Sequence, residues 1–318
     1  MEFIRSISQL NSHHQCCVTT IGNFDGVHLG HQAVLRQLEA KAKQLQLPMM
    51  VIIFEPQPQE FFAPNAVPAR LTRLREKLLA MHRYGVEKVL CIHFNSKFAA
   101  LSTEEFIQQL LVKSLKVKHI VIGDDFHFGR GRQGNFTTLK QAGKLYNFTV
   151  ESQDTFILDG ERVSSTRIRQ ALEQNNMQQA IRLLGRPYTF CGRIGYGQQR
   201  GRTIGFPTAN IFLHRHVSPL IGVFAVFLHG IGEQPLAGVA NLGTRPTVAN
   251  DQMLLEVHIL DFNQDIYGNY VEVEFVSKLR NEQRFVSFDA LKQQIEMDVQ
   301  TARVIFNSMR KNYGTNSN

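Results

Sequence analysis

Thr19-Thr20-Ile21-Gly22-Asn23-Phe24-Asp25-Gly26-Val27-His28-Leu29-Gly30-His31 decides how the first half of the chain reads. The apolar run from Val18 to Ile21 has the pattern of a short buried strand. Glycines at 22, 26 and 30 interrupt it, and a helix follows with Val34, Leu35, Leu38, Ala42 and Leu45 on one face. A strand that passes through glycines into a helix directs backbone N–H groups and the positive end of the helix dipole at one point, where a phosphate is favoured. Two imidazoles, His28 and His31, fall in this same turn with only the small Gly30 close between them.

Outward from this turn, residues 1–184 alternate apolar runs with amphipathic stretches. Strands are expected at 49–54, 88–92, 119–122 and 148–150, and helices at 70–83, from Thr103 onward and at 138–146. Ser102 and Glu105 have the spacing of a capping box. Strands separated by helices imply a parallel, doubly wound sheet that binds ligands at the carboxyl ends of its strands. The pattern changes near Gly185. From there to Phe285 only strands are expected, at 188–194, 209–212, 222–228, 236–241, 253–260 and 270–276, between turns rich in Gly, Pro and Asn. This predicts an antiparallel barrel. Ser287 is the expected N-cap of a closing helix with Phe288, Leu291, Ile295 and Val299 along one stripe. The fold class is therefore α/β followed by β, with domains over residues 1–184 and 185–318.

At 318 residues, 43% hydrophobic and 19% charged, the composition is that of a globular chain with room for one large or two ordinary domains. Apolar runs of a few residues fall short of the roughly 20 that a membrane helix needs. Met1-Glu2-Phe3-Ile4-Arg5 lacks the basic then apolar order of a signal peptide. Cys16, Cys17, Cys91 and Cys191 form no CxxC pair or disulfide framework, which agrees with a reducing compartment and a cytoplasmic location. The net charge of +8 suits an anionic partner, and free nucleotides and nucleic acids both qualify.

The longer pattern G-x-F-D-G-x-H-x-G-H resembles the nucleotidyltransferase superfamily, in which the H-x-G-H turn grips the phosphates of ATP. A second element, Val163-Ser164-Ser165-Thr166-Arg167-Ile168-Arg169, places three hydroxyls and two guanidiniums before a short helix. It is similar to the S-S-T-x-x-R element that faces the H-x-G-H turn in that superfamily. The loops that begin Phe54-Glu55-Pro56-Gln57-Pro58, running on to Phe62, and Gly123-Asp124-Asp125-Phe126-His127-Phe128 look like those of the bacterial FMN adenylyltransferases. The resemblance implies ATP contacts from Gly22, Phe24, Asp25, Gly26, His28, His31, Ser164, Ser165, Thr166 and Arg169. It implies a flavin pocket from Phe54, Pro56, Pro58, Phe62, Asp125 and Phe128. Histidine is common in the family at Gln57, and arginine at His127. The chemistry expected is attack of the FMN phosphate on the α-phosphorus of ATP, with His28 and His31 donating to the phosphates.

In the second half, Gly195 to Gly205 is a glycine-rich loop with two arginines, leading into Phe206-Pro207-Thr208-Ala209-Asn210. Thr208 and Asn210 are two apart on a strand and share a side. Their oxygens are hard donors suited to Mg²⁺ held mainly by a nucleotide. The pattern G-x-x-x-G-F-P-T-A-N resembles riboflavin kinase. It implies ATP contacts from Gly195, Gly201, Gly205, Pro207, Thr208 and Asn210, with Mg²⁺ at Thr208 and Asn210. A kinase acting on an alcohol needs a base. Alternation puts Glu256, Glu272 and Glu274 all on solvated faces, so pattern does not choose between them. The segment Leu255-Glu256-Val257-His258-Ile259-Leu260-Asp261 resembles the one that carries the riboflavin kinase base, which implies Glu256. Residues 241–247 and 278–285 resemble family loops near nucleotide and flavin, the latter implying Arg280, Glu282 and Phe285 as flavin contacts.

Taken together, these motifs, spread over residues 15–307, stand in the order of the bacterial bifunctional riboflavin kinase/FAD synthetases. That family pairs a Rossmann-like nucleotidyltransferase domain with a Greek-key type barrel. The expected substrates are riboflavin, FMN and ATP, with no nucleic-acid or membrane partner and a monomer or weak oligomer. A tRNA-charging ligase shares an H-x-G-H-type turn, but the P-T-A-N barrel and the lack of a lysine-rich second signature argue against it. A flavin- or nucleotide-sensing binding protein that has lost one activity is the rival from another class.

Overall fold

Apolar runs without a polar face become central strands, because a parallel sheet covered on both sides leaves no strand face wet. β1 (Glu2–Ile4), β2 (Val18–Ile21), β3 (Met49–Glu55), β4 (Lys88–His93), β5 (His119–Gly123) and β6 (Thr149–Gln153) form one parallel sheet in the order β1-β4-β3-β2-β5-β6. Ile21, Ile52, Leu90 and Ile122 join one core, and Val18, Val51, Val89 and Val121 join the other. The helices α1 (Leu29–Leu45), α2 (Pro58–Phe62), α3 (Leu74–Arg83), α4 (Ser96–Ala99), α5 (Thr103–Phe106) and α6 (Phe136–Tyr146) stand between the strands. Leu35, Leu38 and Met81 fill the second core from α1 and α3, while Phe106 and Leu139 fill the first. Fully burying each such side chain contributes about 1.5–3 kcal/mol.

The computed structural model describes residues 1–197, 205–215, 217–245 and 252–314. The chain separates into two compact units: Met1–Pro68 with Thr72–Ser165, and Ala69–Leu71 with Thr166–Asn318. In the first, the chain goes from β2 to β3 and β4 on one side and returns to β5 and β6 on the other. The carboxyl ends of β2 and β5 therefore flank the topological switch point, where such sheets bind ligands. The loops after Ile21 and Gly123 both start there.

After Ala69–Leu71, the second unit takes up the chain at Thr166 within α7 (Ser165–Glu173) and continues through α8 (Met177–Leu184). Then β9 (Tyr188–Gly195), β10 (Ala209–Phe212), β11 (Gly222–His229), β12 (Leu236–Arg245), β13 (Gln252–Ile259) and β14 (Tyr270–Arg280) close an antiparallel barrel in the order β10-β13-β12-β11-β14-β9. Phe190, Phe224 and Phe275 pack edge to face inside it, with centroids 5.2 Å apart for both pairs made with Phe275. The helix α9 (Phe288–Gly314) lies on the outside, where Val299, Ala302 and Phe306 cover Val223, Ala225 and Val239. Its start is capped as expected, the Ala290 N–H donating to Ser287 Oγ at 3.2 Å.

Several local expectations change. The helix expected at 70–83 starts only at Leu74. Thr72 is held in another role, its N–H and hydroxyl both bonded to Asp25, and Arg73 is extended, with Glu76 accepting its N–H at 2.7 Å. The helix from Thr103 widens into π-type turns over Ile107–Ser114. The edge strand β1, the small hairpin of β7 (Ile157–Leu158) and β8 (Glu161–Arg162), and α8 were not expected from periodicity.

One buried titratable group makes the first unit acid-sensitive. The His119 side chain is wholly buried between β2 and β6, bonded at Nδ1 to Thr149 Oγ1 at 2.6 Å. Burial pushes its pKa below the ordinary 6.5, and the Glu151 carboxylate only partly opposes this. Below about pH 6.5 the unfolded chain binds the proton and the folded one resists it, so stability falls as pH drops through that value. His119→Gln should flatten the decline, read as the urea midpoint by circular dichroism between pH 7 and about 5.

Candidate active sites

In the first unit, the turn after β2 is built from residues in uncommon backbone conformations. Phe24, Gly26 and the β-branched Val27 all have positive φ, at 49°, 85° and 43°. For Val27 this is strained and persists only where surroundings impose it. Thr72 imposes much of it. Its N–H donates to Asp25 Oδ1 at 3.0 Å, and its hydroxyl oxygen accepts the Gly26 N–H at 2.9 Å. The Gln32 amide donates to the Val27 carbonyl at 2.9 Å, and Ser165 Oγ donates to the Asp25 carbonyl at 2.8 Å.

The turn delivers His28 as the N-cap of α1, its Nδ1 accepting the His31 N–H at 3.4 Å. Accepting at Nδ1 puts the proton of a neutral His28 on Nε2, which is then a donor. The two imidazoles stack at 3.7 Å and 18°, and Phe24, buried in the core, tilts against His31 at 4.9 Å. Gly30 packs closely under this pair, since a Cβ there would sit 3.3 Å from the His28 ring and press on it. The N-terminus of α1, the His28–His31 stack and the Asp25 anchor thus form one structure at the switch point, as the spacing implied. Such a helix end with imidazole donors can bind phosphate oxygens.

The aromatic residues expected around a flavin come together in one row. Phe54 packs on Phe94 and Phe98 at 5.7 and 5.6 Å, Phe62 on Phe94 at 5.8 Å, and Phe98 on Phe106 at 6.0 Å. Phe106 then meets Phe128 at 4.9 Å. Phe62 is 67% exposed, whereas Phe54 and Phe128 are buried. The missed members are Phe94, just after β4, and Phe98 and Phe106, on α4 and α5, with no local motif to mark them. Pro56 follows a cis peptide, and Pro58 opens α2. Asp125 is engaged by Arg162, 2.7 Å from its carboxylate, on an exposed surface beside β5.

Of the second motif, Ser164 and Ser165 are half-buried at the start of α7, and Thr166 is exposed. Arg169 donates from Nε to the Ala69 carbonyl at 2.6 Å.

In the second unit a cavity of about 510 Å³ lies between the outer barrel surface and α9. Strand register builds one of its walls. Asn210 is directly opposite Glu256 on β13, and Glu256 is directly opposite Asn241 on β12. Directly opposed residues share a face, with Cβ atoms about 4.5–5.5 Å apart. Thr208, Asn210, Asn241, Glu256 and His258 all line the cavity. Of the three glutamates alternation left equivalent, only Glu256 lines it, and Glu274 is bonded to His229 at 2.9 Å. Pro207 is fixed by His258, whose Nδ1 donates to its carbonyl at 2.9 Å. A Cβ on Gly197 would overlap the Asn210 amide, so the glycine-rich loop approaches that side chain closely.

Arg280, Glu282 and Phe285 line the same cavity from the other side, with Phe288, Leu291 and Ile295 of α9. Gly195 ends β9 opposite Asn210, and Gly205 has φ 88°. Gly201, with the rest of 198–204 and with 246–251, lies outside the described residues. Among the described residues no group of three His, Cys, Asp or Glu side chains could hold a metal by itself. Thr208 and Asn210 offer two neutral oxygens beside a carboxylate, a set that suits a cation brought by a nucleotide.

Comparison with known proteins follows the same division. The FAD synthetase family model matches residues 10–167 and the riboflavin kinase family model residues 184–306. The chain is 53% identical to the bifunctional riboflavin kinase/FMN adenylyltransferase of Escherichia coli strain K12, over 96% of this chain and 98% of that one. It is 52% identical to the protein of the same name from Haemophilus influenzae, over 97% and 100%. A crystal structure titled macrolide-efflux protein from Streptococcus pneumoniae superposes with a TM-score of 0.80 at 32% identity, covering 95% of this chain and 99% of that one. With sequence identity of this level along nearly its full length, the chain belongs to the bifunctional riboflavin kinase/FMN adenylyltransferase family.

Proposed function

We propose that the second unit phosphorylates riboflavin with ATP to give FMN and ADP, and that the N-terminal nucleotidyltransferase fold joins FMN to AMP from ATP, releasing pyrophosphate. The observation that carries the kinase reading is the cross-strand row Asn210–Glu256–Asn241 on the cavity wall. Glu256 takes the proton from the riboflavin 5′-hydroxyl, and the freed oxygen attacks the γ-phosphorus as ADP leaves. Thr208 and Asn210 would hold Mg²⁺ with the ATP phosphates; when bound, the ion neutralises charge on the phosphoryl oxygens. Gly195, Gly201, Gly205 and Pro207 keep the ATP-binding role that the family resemblance gives them, and Arg280, Glu282 and Phe285 the flavin-binding one.

In adenylyl transfer the nucleophile is already an anion, the FMN phosphate, so no base is required. Alignment and charge stabilisation remain, supplied by the α1 N-terminus, by the Nε2–H of His28 and by the His31 imidazole. Gly22, Phe24, Asp25 and Gly26 shape the turn. Ser164, Ser165, Thr166 and Arg169 keep the ATP-binding role that the family resemblance gives them. The flavin ring is assigned to the aromatic row through Phe54, Phe62 and Phe128, flanked by Pro56 and Pro58. Asp125, in the loop that carries Phe128, keeps the flavin-contact role that the family resemblance gives it. A cytoplasmic, monomeric or weakly associating enzyme without nucleic-acid or membrane partners fits this chemistry. Among the described residues no helix is long and apolar enough to cross a membrane.

The direct test incubates the purified protein with riboflavin, Mg²⁺ and ATP and separates the flavins by chromatography. Both FMN and FAD should accumulate. FMN alone would sink the adenylyl-transfer assignment, and neither product would favour the flavin-binding rival.

His28→Asn keeps an oxygen to cap α1 but removes the imidazole. Conversion of FMN to FAD should fall roughly 10²–10³-fold, as for loss of one oxyanion donor, while FMN formation continues. Full adenylyl transfer in this variant would refute the assignment. Glu256→Gln preserves shape and removes the base, so riboflavin should no longer be phosphorylated while added FMN is still converted to FAD. Loss of both activities would instead mark Glu256 as structural.

A further inference from the structure

The apolar stripe of α9 contains a charge. Phe288, Leu291 and Ile295 face the cavity, and the next position in that spacing is Asp298, only 4% exposed. A buried carboxylate is costly unless it is fully hydrogen-bonded, and this one is. Its Oδ1 accepts from Arg280 Nε at 3.0 Å and from Gln294 Nε2 at 3.0 Å. Its Oδ2 accepts from Arg280 Nε at 3.0 Å and Nη2 at 2.9 Å. With its acceptor positions occupied in this way, Asp298 has little capacity left to bind a ligand itself.

Arg280 is in a different position. One Nη1 proton goes to the Asn281 carbonyl at 3.1 Å, and the guanidinium lies 5.6 Å from the Phe285 ring centre. Of its five N–H bonds, Nε, one on Nη2 and one on Nη1 have protein acceptors among the described residues, which leaves two on a side chain that lines the cavity. The segment after β14 is tied to the same helix a second time, Gln283 Nε2 donating to Gln294 Oε1 at 3.1 Å. Arg280, Gln283, Gln294 and Asp298 therefore form one polar network that ties the 280–285 segment to α9.

We infer that Asp298 is a positioning residue for flavin binding: through its paired bonds to Arg280 it aims the two remaining N–H groups at acceptor oxygens of riboflavin and holds Phe285 beside the ring. This rests on the kinase reading of the cavity. Arg280 is long and has several rotamers, and the fork of Asp298 selects one, so less ordering remains to be done when riboflavin binds. Replacing a buried ion pair of this kind by apolar packing is often neutral or stabilising, so stability alone does not account for it.

The test is a double-mutant cycle on the full-length protein, with Asp298→Asn, Arg280→Gln and the pair. Asp298→Asn should raise the KM for riboflavin roughly tenfold, the size expected for one mispaired charged hydrogen bond, with kcat and the KM for ATP within about threefold. In the Arg280→Gln background the same substitution should have no further effect on riboflavin KM, which a general structural role would not produce. Asp298→Glu should recover part of the loss. Conversion of added FMN to FAD, unchanged in all variants, reports that the rest of the chain is folded. An unchanged riboflavin KM in Asp298→Asn would overturn the inference, and so would equal losses with and without Arg280. If Asp298→Asn does not fold, the Asp298→Glu and Arg280→Gln pair gives the same cycle. A wild-type protein that forms no FMN would fail at the kinase reading itself, a result separable from either of those.

Discussion

Strand parity is the constraint on which the second unit depends. Successive side chains of a strand point to opposite faces, so a slip of one residue moves a full set from one face to the other. On β13 this fixes Met253, Leu255, Val257 and Ile259 as buried and puts Glu256 on the outer face, opposite Asn210 and Asn241. The slipped register would drive a carboxylate into the phenylalanine core and push Leu255 into the cavity. Burying an unpaired charge costs several kcal/mol or more. The core residues therefore fix the Asn210–Glu256–Asn241 row without belonging to it. In the parallel sheet the same parity has another outcome. Helices cover both faces, neither is left for a site, and chemistry is confined to the strand ends.

What was legible in the sequence follows from this. Periodicity located β10 with its exact bounds at 209–212, and it put Glu256 on the correct side of β13. It could not say what covered that side. α9 begins more than thirty residues later, and the outer face reads as solvated until the helix is laid over it. For the same reason pattern alone left Glu256, Glu272 and Glu274 equivalent. Asp298 carried a signal, a charge on an apolar stripe, but its partner on β14 lies 18 residues away. Thr72 was taken for helix because its decisive bonds go to Asp25, 47 residues earlier, and no local window contains both. α8 is a different case. Its cap Asn176 and its closing Gly185 in a left-handed conformation were both readable signals.

The turn at 22–28 illustrates how a binding site is kept ready. Left alone, Phe24 and Val27 would relax from positive φ, since Val27 in particular is poorly tolerated there. Side chains from distant segments, Thr72 and Ser165, and Gln32 from the helix itself hold the backbone by its polar groups. The resulting helix end needs no rearrangement before it meets an anion. Electrostatic stabilisation acts best from donors already in place, because no reorganisation is then charged against the reaction.

The two units meet ATP by unlike means, and the nucleophiles explain the difference. An FMN phosphate arrives ionised. What its reaction lacks is relief of charge repulsion, which on the proposed reading comes from backbone N–H groups and imidazole donors, and a free carboxylate beside them would only add repulsion. Asp25, the one acidic side chain of that turn, is accordingly engaged by Thr72 and buried. Riboflavin arrives as an alcohol with its proton in place, so its phosphorylation calls for an anion at the attacking oxygen. A helix N-terminus cannot act as one. A strand face can, because it sets a carboxylate between two amide side chains at fixed spacing, with room for a cation brought by the nucleotide. Fusing an α/β fold to a barrel therefore joins two solutions that neither architecture supplies at one place.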